Sequence, residues 1–327
     1  MSENEEMEFS PLYILPTEIF IHICSLLHVR DLIFSLICVS ASRDRSLVIW
    51  NPIKSTNKFP SYIQKDAAHE GWIWRLKCAQ DSLYSCSWDN SVKIWAVNSN
   101  DLLLKSTFWC SSPVLSIELM NGAVLAGDYG KSISAFDPRC GENPVFKYIE
   151  HRRAVLTLGS TGSDVISGSE DKTLVLWDSR KRSVKQKILL GKDRFPNCSC
   201  MDDNILYIGD SKGSIHVFNT SGDTVKRLKI YNIGHQKPIS VIKNGRSYLL
   251  TGSHDGTVKI SLPIQPLKVL TSIKTTKGEV GGMDYKGGIL AVGTSNYLEF
   301  WMPKEYINSN NENDSNYFES GFRTQFY

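Results

Sequence analysis

Three histidines each stand 20 residues ahead of an aspartate: His69 and Asp89, His151 and Asp171, His235 and Asp255. A serine lies beside each aspartate in the chain, at Ser87, Ser169 and Ser253. A histidine oriented by a carboxylate is the chemistry of a general base, and a nearby serine is a nucleophile it would activate. A catalytic centre needs one such set. Three at one spacing are the mark of a repeated unit, so the residues read as architecture before they read as a site. A buried Asp–His pair must be fully hydrogen-bonded or it is costly, which suits it to pin a loop to a sheet.

Other chemical patterns are missing. The sequence holds no glycine-rich phosphate loop, no metal-ligand spacing and no GxSxG elbow, and no cofactor is expected. Gly168-Ser169 and Gly252-Ser253 sit before turns and belong to the repeat. The eight cysteines are scattered; Cys198 and Cys200 are two apart on an expected strand, face one side and have no second pair, so neither metal nor disulfide is read. They read as small reduced core residues in the cytosol or nucleus. A net charge of +3 gives no global field toward nucleic acid. The acidic start MSENEEMEFS lacks the basic region of a signal peptide. With 327 residues and 41% hydrophobic content the chain can bury a large core.

The elements that must position the His–Asp pairs follow from the repeat. The phrase SRDRSLVIW (Ser42 to Trp50) recurs as SWDNSVKIW (Ser87 to Trp95) and SEDKTLVLW (Ser169 to Trp177). Weaker copies end at Phe136, Phe218, Ser261 and Trp301, so the closing positions are separated by 45, 41, 41, 41, 43 and 40 residues. Each phrase is a strand, a turn of Asp and Asn, and a second strand with Val92 and Ile94 alternating with Lys93. This period and the terminal Trp resemble the WD40 repeat, which implies a mainly β fold: a propeller of seven blade positions whose sheets bury one another by closing radially. The resemblance implies that His69, Asp89 and Trp95, then His151, Asp171 and Trp177, then His235 and Asp255, carry a buried hydrogen-bond network with a Ser or Thr. Cys110 and Gly130, and Lys192 and Lys212, fill the His and Asp slots of two other units.

In such a propeller the loops before each first strand and the hairpin turns share one face, which commonly binds partners in the family. Here that face would carry Arg45, Trp72, Trp88, Arg152, Arg153, Lys172, Arg194, Lys237 and His254, with His69, Glu70, Glu170 and Gln236 among them. Arg152, Arg153, Lys172 and Arg194 suggest a basic patch for phosphate or acidic segments. Glu150, Glu170, Asp171 and Asp193 are close enough in sequence to neutralise it, and ordinary solvated charge is the favoured reading.

Residues 12–40 differ from the rest. Leu15-Pro16-Thr17-Glu18 has the form of a helix start, and Ile19, Phe20, Ile23, Leu26 and Leu27 make an apolar stripe at helical spacing. Leu32 to Val39 reads as a second helix. Glu18, His22, Arg30 and Asp31 interrupt the run, which speaks against a membrane span. The pattern LPTEIFIHICSLLHVRDLIFSLICVS resembles the F-box. That likeness implies docking to the adaptor Skp1 through Leu15, Pro16, Ile19, Phe20, Ile23, Leu27 and Leu32, and through Skp1 a link to a cullin–RING ubiquitin ligase. The pattern stops early. Cys38-Val39-Ser40 runs directly into the hairpin phrase at Ala41, and the position 20 before Asp44 is Cys24, so a missing segment is expected at the Ser40/Ala41 junction. The first blade should then lack its first two strands, and Skp1 binding should be weakened.

The expected organisation is a disordered stretch at 1–11, a partial helical F-box at 12–40, a propeller at 41–303 and a flexible tail at 304–327. The aromatic cluster Tyr317, Phe318, Phe322, Phe326 and Tyr327 gives the tail a second possibility, a docking strand for a propeller edge. F-box plus repeats implies a non-catalytic substrate receptor of a Skp1–cullin–F-box ligase, its ring holding a protein target, without nucleic-acid or membrane partners. The alternatives are a ligase-independent WD40 scaffold or a short form that binds substrate without Skp1.

Overall fold

The computed structural model describes residues 22–28, 36–301 apart from positions 57–58, 80–81, 99–100, 246–247, 265, 277, 287 and 296, and residues 322–325. They form seven four-stranded antiparallel sheets, each from strands consecutive in the chain. The first blade holds β1 (His22–His28), β2 (Leu36–Ala41), β3 (Leu47–Thr56) and β4 (Phe59–Lys65). The second holds β5 (Ile73–Ala79), β6 (Ser82–Ser87), β7 (Ser91–Val97) and β8 (Leu102–Trp109). The third holds β9 (Val114–Met120), β10 (Ala123–Asp128), β11 (Ser132–Phe136) and β12 (Phe146–Ile149); the fourth, β13 (Val155–Thr161), β14 (Asp164–Ser169), β15 (Thr173–Asp178) and β16 (Ser183–Leu189). The fifth holds β17 (Pro196–Asp202), β18 (Ile205–Asp210), β19 (Ser214–Asn219) and β20 (Lys226–Asn232); the sixth, β21 (Ile239–Gly245), β22 (Tyr248–Ser253), β23 (Thr257–Leu262) and β24 (Lys268–Lys274). The seventh holds β25 (Gly282–Lys286), β26 (Ile289–Gly293), β27 (Tyr297–Trp301) and β28 (Phe322–Gln325). First strands touch first strands around the ring, and β1 meets both β5 and β25, so the disc closes.

The turn between second and third strands follows one rule. Its fourth residue has a left-handed backbone in six blades: Arg45, Asn90, Lys131 and Lys172 at φ 74, 68, 75 and 72°, and Gly213 and Gly256 at 81 and 77°. A bond such as Lys172 N to Ser169 O at 3.0 Å closes the turn. This is a tight turn followed by a left-handed residue, a geometry glycine adopts freely and asparagine tolerates.

One apolar cluster lies between each pair of neighbouring blades from the first to the seventh. Close approach at β-strand glycines lets the blades meet. A Cβ on Gly168 would lie 2.7 Å from Pro196 of the next blade, and one on Gly209 would lie 2.8 Å from Ile239. Gly127 and Gly252 make the same approach to Val155 and Val280.

The seven blade positions agree with the repeat, but the first blade corrects two expectations. His22–His28 and Leu36–Ala41 are strands, where helices were expected. They supply the two strands whose absence was expected, and β2 runs through the Ser40/Ala41 junction in register with β3, pairing Val39 with Ile49 and Ser40 with Val48. The physical reason is pairing. Ile37, Val39 and Ala41 alternate into the core between the first two blades, and the open edge of β3 offers a ladder that a solvated helix cannot. Of the F-box positions, Ile23 and Leu27 lie on β1, whereas Leu15, Pro16, Ile19, Phe20 and Leu32 lie outside the described residues. At the other end, Phe322–Gln325 is the outer strand of the seventh blade, paired with β27, so this part of the expected flexible tail is a strand. It occupies the outer edge of the seventh blade, as the docking-strand possibility has it.

Candidate interaction face

The three His–Asp pairs are buried struts. His69 Nδ1 lies 2.9 Å from Asp89 Oδ2, its Nε2 lies 2.7 Å from Ser85 Oγ, and Trp95 Nε1 donates to the same oxygen at 2.9 Å. One assignment satisfies every atom: the indole N–H donates to Ser85, the Ser85 hydroxyl to Nε2, and Nδ1–H to Asp89. Burial lowers the His69 pKa against the pull of Asp89, which keeps the ring neutral. Burial alone would raise the Asp89 carboxyl, but bonds from His69 and Ser91 hold it well below the ordinary range. The Asp also accepts the Glu70 N–H at 3.0 Å, tying the loop before β5 to the β6–β7 turn. His151 joins Asp171 and Ser167 at 3.2 and 2.8 Å, and His235 joins Asp255 and Thr251 at 3.1 and 2.9 Å. Trp177 stacks on Tyr148 at 4.1 Å. The three His side chains have no exposure, so a substrate cannot reach them.

Two of the units without a His–Asp pair, the third and the fifth, use a different carboxylate, which the sequence reading missed. Asp128 and Asp210 stand two residues before the empty slots at Gly130 and Lys212. Asp128 accepts the Ser132 N–H and hydroxyl at 2.8 and 2.6 Å, and burial raises its pKa. Cys110, in the His slot, is pushed up to about 12 by burial and by Asp128. Asp210 lies fully buried between Arg194 Nη1 at 2.5 Å and His216 Nε2 at 2.9 Å. The available signal was the acid at the first turn position, where other blades have Ser.

Arg45, Trp72 and Trp88 come together. The β2–β3 turn and the loop before β5 enclose a cleft of about 440 Å³ lined by Arg43, Arg45, Glu70, Gly71, Trp72 and Trp88. Gly71 is needed there because a Cβ would sit 2.6 Å from Asp89 N. Trp72 is 42% exposed, and the Arg43 guanidinium stacks 4.6 Å from its ring. Trp88 meets Trp72 edge-on at 5.8 Å and Trp74 at 5.9 Å, and lies 6.1 Å from Tyr129. Trp74, Trp88, Tyr129 and Phe195 pack against buried Leu115, Ala154 and Leu156 to form an aromatic arc beside the cleft. Two arginines, a carboxylate and exposed indole suit polypeptide side chains, the residue types that dominate protein-binding hot spots. Arg43, Trp74 and Tyr129 were not picked from sequence.

The basic residues further round the face are matched by acids. Arg153 lies 3.7 Å from Glu170, Lys172 3.6 Å from Asp193, and Lys237 2.8 Å from Glu279, which His254 also approaches at 3.8 Å. Arg194 is occupied by Asp210, and Arg152 is exposed with its N–H on Asp171. Among the described residues no three His, Cys, Asp or Glu side chains gather as a metal site.

The WD domain, G-beta repeat family, WD40, matches residues 61–96, 142–178 and 225–260. Three stretches of the chain thus match the WD40 repeat, and the seven-bladed fold is that of a WD40 β-propeller. The relatives of the chain include F-box/WD repeat-containing proteins. F-box/WD repeat-containing protein 9 of Homo sapiens is 29% identical over 287 residues, 86% of this chain and 62% of the relative. The Bos taurus protein of the same name is 29% identical over 81% of this chain and 58% of its own length. F-box/WD repeat-containing protein mec-15 of Caenorhabditis elegans is 26% identical over 66% of this chain and 55% of its own length. The chain thus spans about three fifths of the curated relatives it matches. The crystal structure of the computationally designed Ika8 protein shares the fold at a TM-score of 0.61 and 17% identity, covering 87% of this chain and 97% of that one.

Proposed function

We propose that the protein is a non-catalytic substrate receptor of a Skp1–cullin ubiquitin ligase, acting in the cytosol or nucleus. A target docks in the Trp72–Trp88 cleft and the aromatic arc beside it, and ubiquitin transfer takes place on the partner ligase by proximity. The carrying observation is the exposed Trp72 with Arg43 and Arg45 in a cleft on the face where six hairpin turns converge. The names of the relatives support the link to the ligase.

One observation favours a second reading, a WD40 scaffold independent of the ligase: Ile23 and Leu27, assigned to Skp1 by the F-box pattern, lie on β1 of the propeller. Affinity purification of the tagged chain, beside its Trp72→Ala variant, separates the two. Skp1 and cullin in the wild-type eluate, with a set of proteins lost from the variant, is the expected result. Captured proteins without Skp1 or cullin would sink the receptor reading and leave the scaffold. Identical eluates from both forms would remove the cleft.

A further inference from the structure

Two serines in the chain, Ser46 and Ser183, stand three residues after an arginine, and no other Ser or Thr does. Arg43-Asp44-Arg45-Ser46 forms the β2–β3 turn, and Arg180-Lys181-Arg182-Ser183 leads from β15 into β16. Arginines three residues and one residue before a hydroxyl make a charge pattern that carboxylates of a protein kinase can read. The sequence offers both serines equally. The structure separates them.

Ser46 is closed to an enzyme. It is 3% exposed, its hydroxyl donates to Asp44 Oδ1 at 2.6 Å, and it leads into β3, which has β2 on one side and β4 on the other. Ser183 is the reverse case. Arg180, Lys181, Arg182, Ser183 and Val184 are all exposed, and the Ser183 hydroxyl makes no hydrogen bond among the described residues. None of the three cations lies within ion-pair distance of a carboxylate among the described residues. The acid at the hairpin base, Asp178, is buried, accepts the N–H groups of Arg180 and Lys181 at 2.9 and 3.0 Å, and faces Lys185 at 3.6 Å. An enzyme that takes an extended segment must lift Ser183 from the sheet, and the fold makes that lift small. The strand β16 is outermost, with no partner on its far side. Its pairing with β15 shifts between Leu176 and Trp177, so Ser183 and Val184 are set off from the regular ladder that runs from Gln186 to Leu189. Such an end opens locally without unfolding the blade.

We propose that Ser183 is a phosphorylation site for an arginine-directed serine/threonine kinase. Ser183 Oγ attacks the γ-phosphorus of ATP, and its proton passes to the catalytic aspartate of the kinase. The bond from that phosphorus to the β,γ-bridging oxygen breaks, and ADP leaves. The phosphate brings a charge of about −2, which cancels most of the charge of Arg180, Lys181 and Arg182 and gives the neighbouring guanidinium groups strong acceptors. The hairpin lies at the end of β15 away from the Ser169–Lys172 turn, so this switch of charge sits on the face opposite the cleft. It stands whether or not the receptor reading does.

The test incubates the folded full chain with ATP and the catalytic subunit of cAMP-dependent protein kinase, which reads arginine at this spacing, and locates phosphate by mass spectrometry. A synthetic peptide of residues 178–188 is the unfolded reference. Both the chain and the peptide should be labelled at Ser183, and Ser46 of the folded chain should stay bare. Arg180→Ala should be labelled at Ser183 about tenfold more slowly, with an unchanged urea midpoint. A bare Ser183 in the folded chain overturns the proposal; if the peptide is labelled, the hairpin is closed to the enzyme, and if it is not, the arginines are not read. Equal rates for the wild type and Arg180→Ala, or labelling of Ser46 as fast as Ser183, would overturn it as well.

Discussion

Replacing Asp89 with alanine tests the idea that the His–Asp pairs hold loop to blade. The Asp89 side chain is 6% exposed and accepts from His69 Nδ1, Glu70 N, Ser91 N and Ser91 Oγ at 2.9, 3.0, 2.9 and 2.6 Å. Alanine removes all four hydrogen bonds. Glu70 is exposed, so water replaces its bond. The Ser91 hydroxyl already lies 3.0 Å from His69 Nδ1 and takes over that donor. The Ser91 N–H and O–H are left buried without an acceptor. Two orphaned buried donors, added to the lost bonds to a charged group, cost about 2–4 kcal/mol. Asp44 in the first blade is the internal control. Among the described residues its exposed carboxylate accepts only from Ser46, at 2.8 and 2.6 Å; alanine there orphans the buried Ser46 donors, as at Ser91, but breaks no bond to a histidine or to the loop before β5, so it should cost about 1–2 kcal/mol less than Asp89→Ala. Equilibrium urea unfolding measures both, and hydrogen exchange should quicken at the Ser91 and Glu70 amides of the Asp89 variant. Equal losses at the two positions, or an Asp89→Ala cost below about 0.5 kcal/mol, would refute the reasoning.

Gly209→Ala should lower stability by about 1–3 kcal/mol, because the added Cβ meets Cys198 Sγ at 2.7 Å and Ile239 Cβ at 2.8 Å; Gly222→Ala, with nothing within 4 Å, should stay within about 0.5 kcal/mol in the same unfolding assay. Arg194→Met should cost about 2 kcal/mol, since it leaves the buried Asp210 carboxylate with His216 but without its guanidinium, and Asp210→Asn in the same background should recover part of the loss. The melting temperature should fall as pH drops below about 6.5, because burial lowers the pKa of His69 and His235 and the unfolded chain then binds the extra protons. A second loss should follow below about pH 3.9 as Asp89, Asp171 and Asp255, whose native pKa values are depressed, gain protons; buried Asp128, whose pKa is raised, instead adds stability as pH falls toward about 3.9. A melting temperature that is flat from pH 6.5 to 5 would contradict the neutral buried histidines.

Much of the disc was legible in the chain. A spacing of 41 residues between Trp95, Phe136, Trp177 and Phe218 is a local property of each unit, because every blade repeats the same turn chemistry and strand alternation. So is the 20-residue interval from His to Asp, which places both at the ends of strands that pair. The cleft was half legible: Arg45, Trp72 and Trp88 were picked as face residues, but their meeting depends on the turn of the first blade lying against the loop of the second. Glu170 and Asp193 were legible as neutralising acids, and they pair with Arg153 and Lys172; tertiary structure added Glu279 as the partner of Lys237.

By itself the sequence determined the number of units, the turn in each and the buried polar pins, since these depend on residues close along one repeat. Tertiary structure alone decided what His22–His28 and Phe322–Gln325 become. Their local patterns, an apolar stripe at helical spacing and a short aromatic run, carry no strong strand signal. In a ring, however, the first and last sheets each have an open edge, and pairing with it satisfies backbone groups that local propensity cannot weigh.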